Sequence, residues 1–286
     1  MGRGYHSRMD TKTSHALDRA AEAIAGADAL LVTAGAGIGV DSGLPDFRGN
    51  EGFWRAYPPM QHLGIGFMEM ADPIWFRRDP ELAWGFYGHR LSLYRATEPH
   101  DGFRILREWS ESMPHGFFVF TSNVDGQFQK AGFDRDRIFE CHGSIHHLQC
   151  MNHCGDITRC NDDVVIDETT FRAGPPLPRC PACGALGRPN VLMFNDWGWR
   201  PERSAAQERR FADWIGSLDD ARLAVVEVGA GTAVPTVRMT SEQLARRPGA
   251  TLVRINVREP RVPGDDIGIA LGGLAALREI AERLQG

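Results

Sequence analysis

The chain has 286 residues, 42% of them hydrophobic, and a formal net charge of −5. That is enough apolar material for one sizeable core plus a smaller satellite, and the acidic balance argues against a nucleic-acid partner. No apolar run reaches the roughly 18–20 residues that span a bilayer, so no membrane partner is expected. Residues 1–10 lack the apolar core of a secretory leader, and a cytoplasmic protein is the expectation. All six cysteines fall between Cys141 and Cys183, a clustering that suits metal ligands better than a disulfide framework.

In chain order, a helical period over 14–25 leads into the apolar run 29–34, and a second over 102–111 leads into 116–121. Further apolar runs cover 190–194, 223–229 and 251–256, with helical periods over 204–218, 237–247 and 274–284. Short, nearly continuous apolar runs suit strands buried on both faces of a parallel sheet. Their alternation with helices predicts an α/β fold with a Rossmann-like, doubly wound parallel sheet. Two insertions break the rhythm. Residues 49–97 are rich in Trp, Phe and Met, with Pro73 and Pro80 placed where helices begin. Residues 146–189 carry two cysteine pairs and little helical signal. The expected division is a Rossmann-like domain over 12–48, 98–145 and 190–286. A discontinuous smaller lobe is expected to combine a helical module (49–97) and a zinc-binding module (146–189).

Three motifs follow strands. Gly35-Ala36-Gly37-Ile38-Gly39 gives a strand end where backbone amides can approach a pyrophosphate. Its third glycine falls too early for the usual dinucleotide fingerprint, and by itself it reads equally well as a tight structural turn. Asp41-Ser42-Gly43-Leu44-Pro45-Asp46-Phe47-Arg48-Gly49 continues it. Thr121-Ser122-Asn123-Val124-Asp125 puts polar residues at the carboxyl end of a strand, where ligands bind in open α/β sheets. Glu140-Cys141-His142-Gly143-Ser144 supplies a histidine, the side chain whose ordinary pKa suits a base near neutrality.

Taken together, these motifs resemble the sirtuin family of NAD-dependent protein deacylases. The resemblance implies that Ala34, Gly35, Ala36 and Gly37 cradle the NAD pyrophosphate. Asp46, Phe47 and Arg48 complete the cofactor loop, Arg48 touching the cofactor and Phe47 shielding the reacting sugar carbon. Ser122 stands where the family has Gln. Asn123 is implied to position the nicotinamide ribose and Asp125 to bind the nicotinamide carboxamide. The acyl-lysine oxygen attacks the sugar as nicotinamide leaves. His142 then takes a proton from the ribose hydroxyls, and water completes the formation of deacylated lysine and O-acyl-ADP-ribose. Farther on, Gly229-Ala230-Gly231-Thr232-Ala233-Val234-Pro235 departs from the family pattern. Gly229, Thr232, Asn256 and Ile267 are its candidate adenosine-side contacts.

Cys150-x3-Cys154 and Cys180-x2-Cys183 read as four thiolates closing a tetrahedral structural zinc site. His153 and Cys160 are alternative ligands, and redox-active thiols are the competing reading. Cys141 reads as a small buried hydrophobe rather than a nucleophile.

In the first insertion Tyr87 and Arg90 lie three apart on one helical face. The family's class III members, which remove succinyl, malonyl and glutaryl groups, carry this Tyr-x-x-Arg, so Tyr87 and Arg90 are candidates for gripping an acyl carboxylate. Phe194 is the candidate on the segment that pairs with acylated protein lysine substrates in the family. Its surroundings, Asn195-Asp196-Trp197, depart from the family's Gly-Glu. Two rival activities share this chemistry or part of it: ADP-ribosyl transfer or NAD hydrolysis, and non-catalytic sensing of NAD or ADP-ribose.

Overall fold

The computed structural model describes residues 10–46 and 49–286. The first described element is α1 (Thr11–Ala25), whose cap Asp10 accepts the Thr13 N–H at 2.8 Å. The wholly buried strand β1 (Ala29–Ala34) follows, then a 3₁₀ segment, Ala36–Ser42. The first insertion comprises α2 (Gly49–Ala56), α3 (Pro58–His62), α4 (Phe67–Met70), α5 (Trp75–Arg78) and α6 (Pro80–Ala96). Pro80 opens α6, where a missing N–H costs nothing and the Asp79 carboxylate caps the Leu82 N–H at 3.2 Å. The chain returns through α7 (Asp101–Glu111), β2 (Phe117–Thr121), α8 (Gln127–Lys130) and β3 (Ile138–Glu140). The second insertion contains β4 (Gly143–Cys150), β5 (Thr158–Arg159), β6 (Ile166–Asp167), β7 (Arg172–Ala173) and β8 (Gly187–Val191). Last come α9 (Glu202–Gly216), β9 (Leu223–Val228), α10 (Thr236–Ala245), β10 (Ala250–Ile255), β11 (Ile267–Ile269) and α11 (Gly273–Gln285).

Six parallel strands form the main sheet in the order β11-β10-β9-β1-β2-β3. Alternate residues of β1 face opposite ways, as the pleat requires. Leu30, Val32 and Ala34 join a core with α1, α7 and α11, while Ala29 and Leu31 join another with α9 and α10. Both faces are therefore covered, and the fold is the expected doubly wound α/β sheet. Thr33, Glu227 and Arg254 stand in register across its centre. There the Arg254 Nε and Nη2 donate to Glu227 at 2.5 and 2.9 Å, and Nη2 also reaches Glu242 at 2.9 Å.

A third core fills the smaller lobe. It mixes residues of both insertions, among them Phe53, Tyr57, Trp84 and Phe86 with Val164, Phe171 and Ala173. The two insertions thus fold around one shared interior.

The run 190–194, expected as a strand of the main sheet, lies elsewhere. β8 pairs antiparallel with β4 in a separate three-stranded sheet, and Val191 and Met193 pack in the smaller lobe's core. Its apolar character comes from that core and the adjoining cleft, a cause that periodicity does not separate from burial in a parallel sheet. β3 and β11, three residues each, carry no periodic signal in the sequence. No described helix is long and apolar enough to cross a membrane.

Candidate active site

A cleft of about 560 Å³ opens where β1, β2, β3 and β9 end, between the main sheet and the smaller lobe. Two glycine turns form its floor. A Cβ on Gly35 would stand 2.8 Å from the Ala230 Cα, and one on Gly229 (φ +68°) would stand 2.3 Å from the Ile38 backbone nitrogen. Only glycine lets these strand-end loops touch backbone to backbone, with the Gly37 N–H donating to the Gly229 carbonyl at 3.0 Å. Ala36, Gly37, Ala230 and Gly231 are thereby presented to the cleft. Farther along the same segment, Asp41 accepts the Leu274 N–H at 2.8 Å, fastening the loop to the start of α11.

The β2 end is locked by its own polar groups. The Thr121 hydroxyl donates to the Ala34 carbonyl at 2.9 Å and accepts the Asn123 N–H at 3.0 Å. The Asn123 side-chain amide donates to the Gly35 carbonyl at 3.1 Å, tying the two strand ends together. Asp125 is buried and accepts the Gln127 N–H at 2.9 Å. Burial pushes its carboxyl up to about 6, with the Gln127 amide opposing the shift and Glu140 adding to it.

Only Cys141 and His142 separate β3 from β4, so the chain crosses from one sheet to the other at the histidine. The Cys141 N–H donates to the Thr121 carbonyl at 2.9 Å, and the His142 carbonyl accepts the Leu192 N–H at 2.9 Å. Gly143 (φ +79°) is obligatory because a Cβ would lie 2.1 Å from the Asn190 carbonyl oxygen. Burial lowers the His142 pKa below its ordinary value, with the Ser122 backbone carbonyl working against it. The ring is therefore neutral at pH 7 and able to accept a proton. Burial pushes the Cys141 thiol up to about 12, which leaves it protonated and a poor nucleophile.

The sequence reading missed the brace beneath this crossing. Glu140 is almost wholly buried and held by α9. The Gln207 side chain accepts its N–H at 3.1 Å and donates to its carboxylate at 3.2 Å, Ser204 donates to its carbonyl, and Arg203 pairs with the carboxylate. Tyr94 was missed as well. It lines the cleft with Tyr87 and Arg90 and accepts from Arg90. Spacing gave the available signal, because Arg90 and Tyr94 lie four apart on one helix.

Ser122, Asp46 and Phe194 also line the cleft. The Phe194 N–H donates to the Ala71 carbonyl at 2.9 Å, and its ring meets Phe67 edge-on. Four expected contacts lie off the cleft lining. Ala34 is wholly buried and packs in the core beneath the sheet. The Thr232 hydroxyl donates to Glu259 at 2.6 Å. Asn256 is buried, donating to the Ala230 carbonyl at 2.8 Å and accepting the Arg258 and Glu259 N–H groups, which shapes the loop behind Gly231. Ile267 packs into the core beneath α1 and α11, because its position on β11 turns the side chain toward that face. Phe47 and Arg48 lie outside the described residues.

In the second insertion the sulfurs of Cys150, Cys154, Cys180 and Cys183 all lie within 4.8 Å of one another, three of the separations being 3.5, 3.6 and 3.6 Å. Tetrahedral zinc–thiolate bonds of about 2.3 Å place sulfurs roughly 3.8 Å apart, so the cluster fits a zinc ion. Four protein ligands leave no open position, which makes the site structural. His153 and Cys160 are outside the cluster; Cys160 packs in the lobe's core.

A doubly wound sheet with two glycine turns, an amide, a carboxyl and an imidazole around one strand-end cleft defines a Rossmann-like ligand-binding α/β protein with a zinc-type side lobe. The model of the Sir2 family matches residues 35–215. Proteins named NAD-dependent protein deacylase from Aeropyrum pernix and Thermococcus kodakarensis are 30% and 31% identical to this chain. The first alignment covers 87% of this chain and 88% of the relative, the second 84% of each. A protein of the same name from Aquifex aeolicus is 34% identical over 58% of this chain, and the match spans 62% of that relative's length. Among solved structures, a Sir2 homolog in complex with NAD superposes with a TM-score of 0.71 at 23% identity, covering 94% of this chain and 93% of that one. A Sir2 enzyme at 26% identity gives 0.67, covering 95% and 98%. The chain belongs to the Sir2 family.

Proposed function

We propose that the chain is an NAD-dependent protein lysine deacylase, yielding nicotinamide, deacylated lysine and O-acyl-ADP-ribose, and preferring acyl groups that end in a carboxylate, such as succinyl or malonyl. One observation carries the reading. Asn123, Asp125 and His142 share a cleft with the Gly35–Gly37 and Gly229–Gly231 turns, and Tyr87, Arg90 and Phe194 line that same cleft. The names of the relatives support the deacylase class.

In this reading NAD is consumed as a substrate, its bond to nicotinamide being the one broken. The glycine turns offer room and backbone N–H groups for a pyrophosphate. Asp46 and Ser122 belong to the same cofactor surface, while Ala34, buried in the sheet, supports it from beneath; the cofactor roles given to Phe47 and Arg48 rest on the family resemblance alone. Gly229 and Asn256 act by shaping the far turn, with Thr232 on the adenosine side and Ile267 supporting it from the core. Asn123, fixed at the β2 end, orients the sugar. Asp125, with its raised pKa, presents a carboxyl group that suits a carboxamide. His142, neutral because it is buried, removes a proton from the sugar hydroxyls. The buried Arg90 guanidinium and the Tyr87 phenol suit an acyl carboxylate. Zinc holds the second insertion and takes no part in proton or acyl transfer.

The test is incubation with NAD and acetyl-, malonyl-, succinyl- and long-chain acyl-lysine peptides, with products identified by mass spectrometry. Nicotinamide, free lysine and O-acyl-ADP-ribose should appear in equal amounts, fastest with acidic acyl groups. Nicotinamide and ADP-ribose released while every peptide stays acylated would instead identify an NAD hydrolase.

A further inference from the structure

We infer that Tyr94 is a positioning residue that sets acyl selectivity by holding the Arg90 guanidinium in place within the cleft, an inference that rests on the acidic-acyl reading above. Tyr87, Arg90 and Tyr94 fall at i, i+3 and i+7 of α6, so one helical face presents all three to the cleft. Arg90 is 7% exposed. Its Nε and Nη2 both donate to the Tyr94 hydroxyl oxygen, at 3.0 and 2.9 Å. The guanidinium carbon lies 5.1, 5.7 and 5.4 Å from the ring centres of Phe86, Tyr87 and Tyr94.

The chemistry of the holding group matters. An arginine side chain has many rotamers, and an anion-binding site needs its fork fixed in advance. A carboxylate at position 94 would fix it but cancel the charge that an acyl carboxylate is meant to meet. A phenol accepts two hydrogen bonds and stays neutral, so it orients the cation and leaves its charge in place. Burial raises the Tyr94 pKa further from ionisation. Tyr94 is itself anchored. Its backbone carbonyl accepts from the Gln127 side chain at 3.3 Å, and the Gln127 N–H is bound to Asp125. The acyl end of the cleft and the carboxyl at its sugar end are therefore tied through one glutamine.

The test compares Tyr94→Phe, which keeps the ring and its burial, with Arg90→Met in the full-length protein. Steady-state kinetics are measured on succinyl- and acetyl-lysine versions of one peptide. Tyr94→Phe should lower kcat/KM for the succinyl peptide about tenfold or more, mostly through KM, because a hydrogen bond to a charged group is lost. Its effect on the acetyl peptide should stay within about twofold, whereas loss of fold integrity would lower both equally. If Arg90→Met discriminates between the peptides and Tyr94→Phe does not, the role of Tyr94 is overturned. If Arg90→Met affects both alike, the acidic-acyl reading fails first.

Discussion

Burial lowers the pKa of His142, and if it is the base of the proposed deacylation the sign of its pH effect follows. The reacting form is the neutral ring, present above its pKa, so kcat/KM should hold steady as pH falls to about 6.5 and decline only below it. A pH–rate profile whose acid limb lies above 7 would contradict the assignment. His142→Ala should reduce turnover by about 10²–10⁴-fold while NAD binding by calorimetry persists. Asp125 shows the opposite bias. Its carboxyl is raised from the ordinary 3.8 to about 6, so the folded state binds a proton more readily than the unfolded chain. Stability is then highest below the ordinary carboxylate pKa, falls between about pH 4 and 6, and stays about 3 kcal/mol lower above that range. Asp125→Asn should therefore raise the melting temperature at pH 7 while lowering activity, a split that thermal scans and turnover assays would reveal together. That Asn123, Asp125 and His142 gather at strand ends was legible in the sequence, because polar side chains after apolar runs mark the ligand-facing edge of an open α/β sheet. The support beneath them was not. Glu140, Gln207 and Arg203 are joined by packing between residues more than sixty positions apart, which no local pattern encodes.

At the level of the elements, the five long helices of the main domain were readable to within a few residues, since each buries one stripe against a sheet, whereas the four-residue α8 left no periodic signal. The β8 region was not, because continuous apolar character marks burial without saying against what. The centre of the sheet holds a polar surprise for a parallel strand pair. Arg254 and Glu227, both about 1% exposed on their side chains, form an ion pair under α10, extended by Glu242. Removing one partner of such a pair strands a charge, so Arg254→Met should destabilise the domain by about 3–5 kcal/mol. Replacing both, as Arg254→Met with Glu227→Leu, should recover most of the loss, as chemical denaturation would show. Equal destabilisation by the single and double variants would mean that the hydrogen bonds to Glu242 and the Arg261 carbonyl dominate.

The whole molecule has two lobes whose interiors differ in origin. The larger is sequential alternation wrapped around a sheet. The smaller is made by two insertions that are separate in the chain and inseparable in space. Gly85 and Gly88 on α6 allow that contact. A Cβ at Gly85 would lie 2.2 Å from the Phe171 carbonyl oxygen, and one at Gly88 would lie 2.7 Å from Val164. Zinc loss should consequently reach beyond the cysteines. Chelation, or Cys180→Ser, should lower the melting temperature and weaken the succinyl-over-acetyl preference together, because the face of α6 opposite the cleft loses its backing. About one zinc per chain is expected by atomic absorption.

The two-residue passage from β3 to β4 mounts His142 between two sheets. A base mounted on a long loop could be adjusted without disturbing the walls around it. Here His142 sits on the joint itself, where the backbone is fastened through Cys141 to Thr121 on one side and through its own carbonyl to Leu192 on the other. The position of the ring is thus set by both sheets at once, so in the proposed deacylation the proton acceptor and the walls around it share one support.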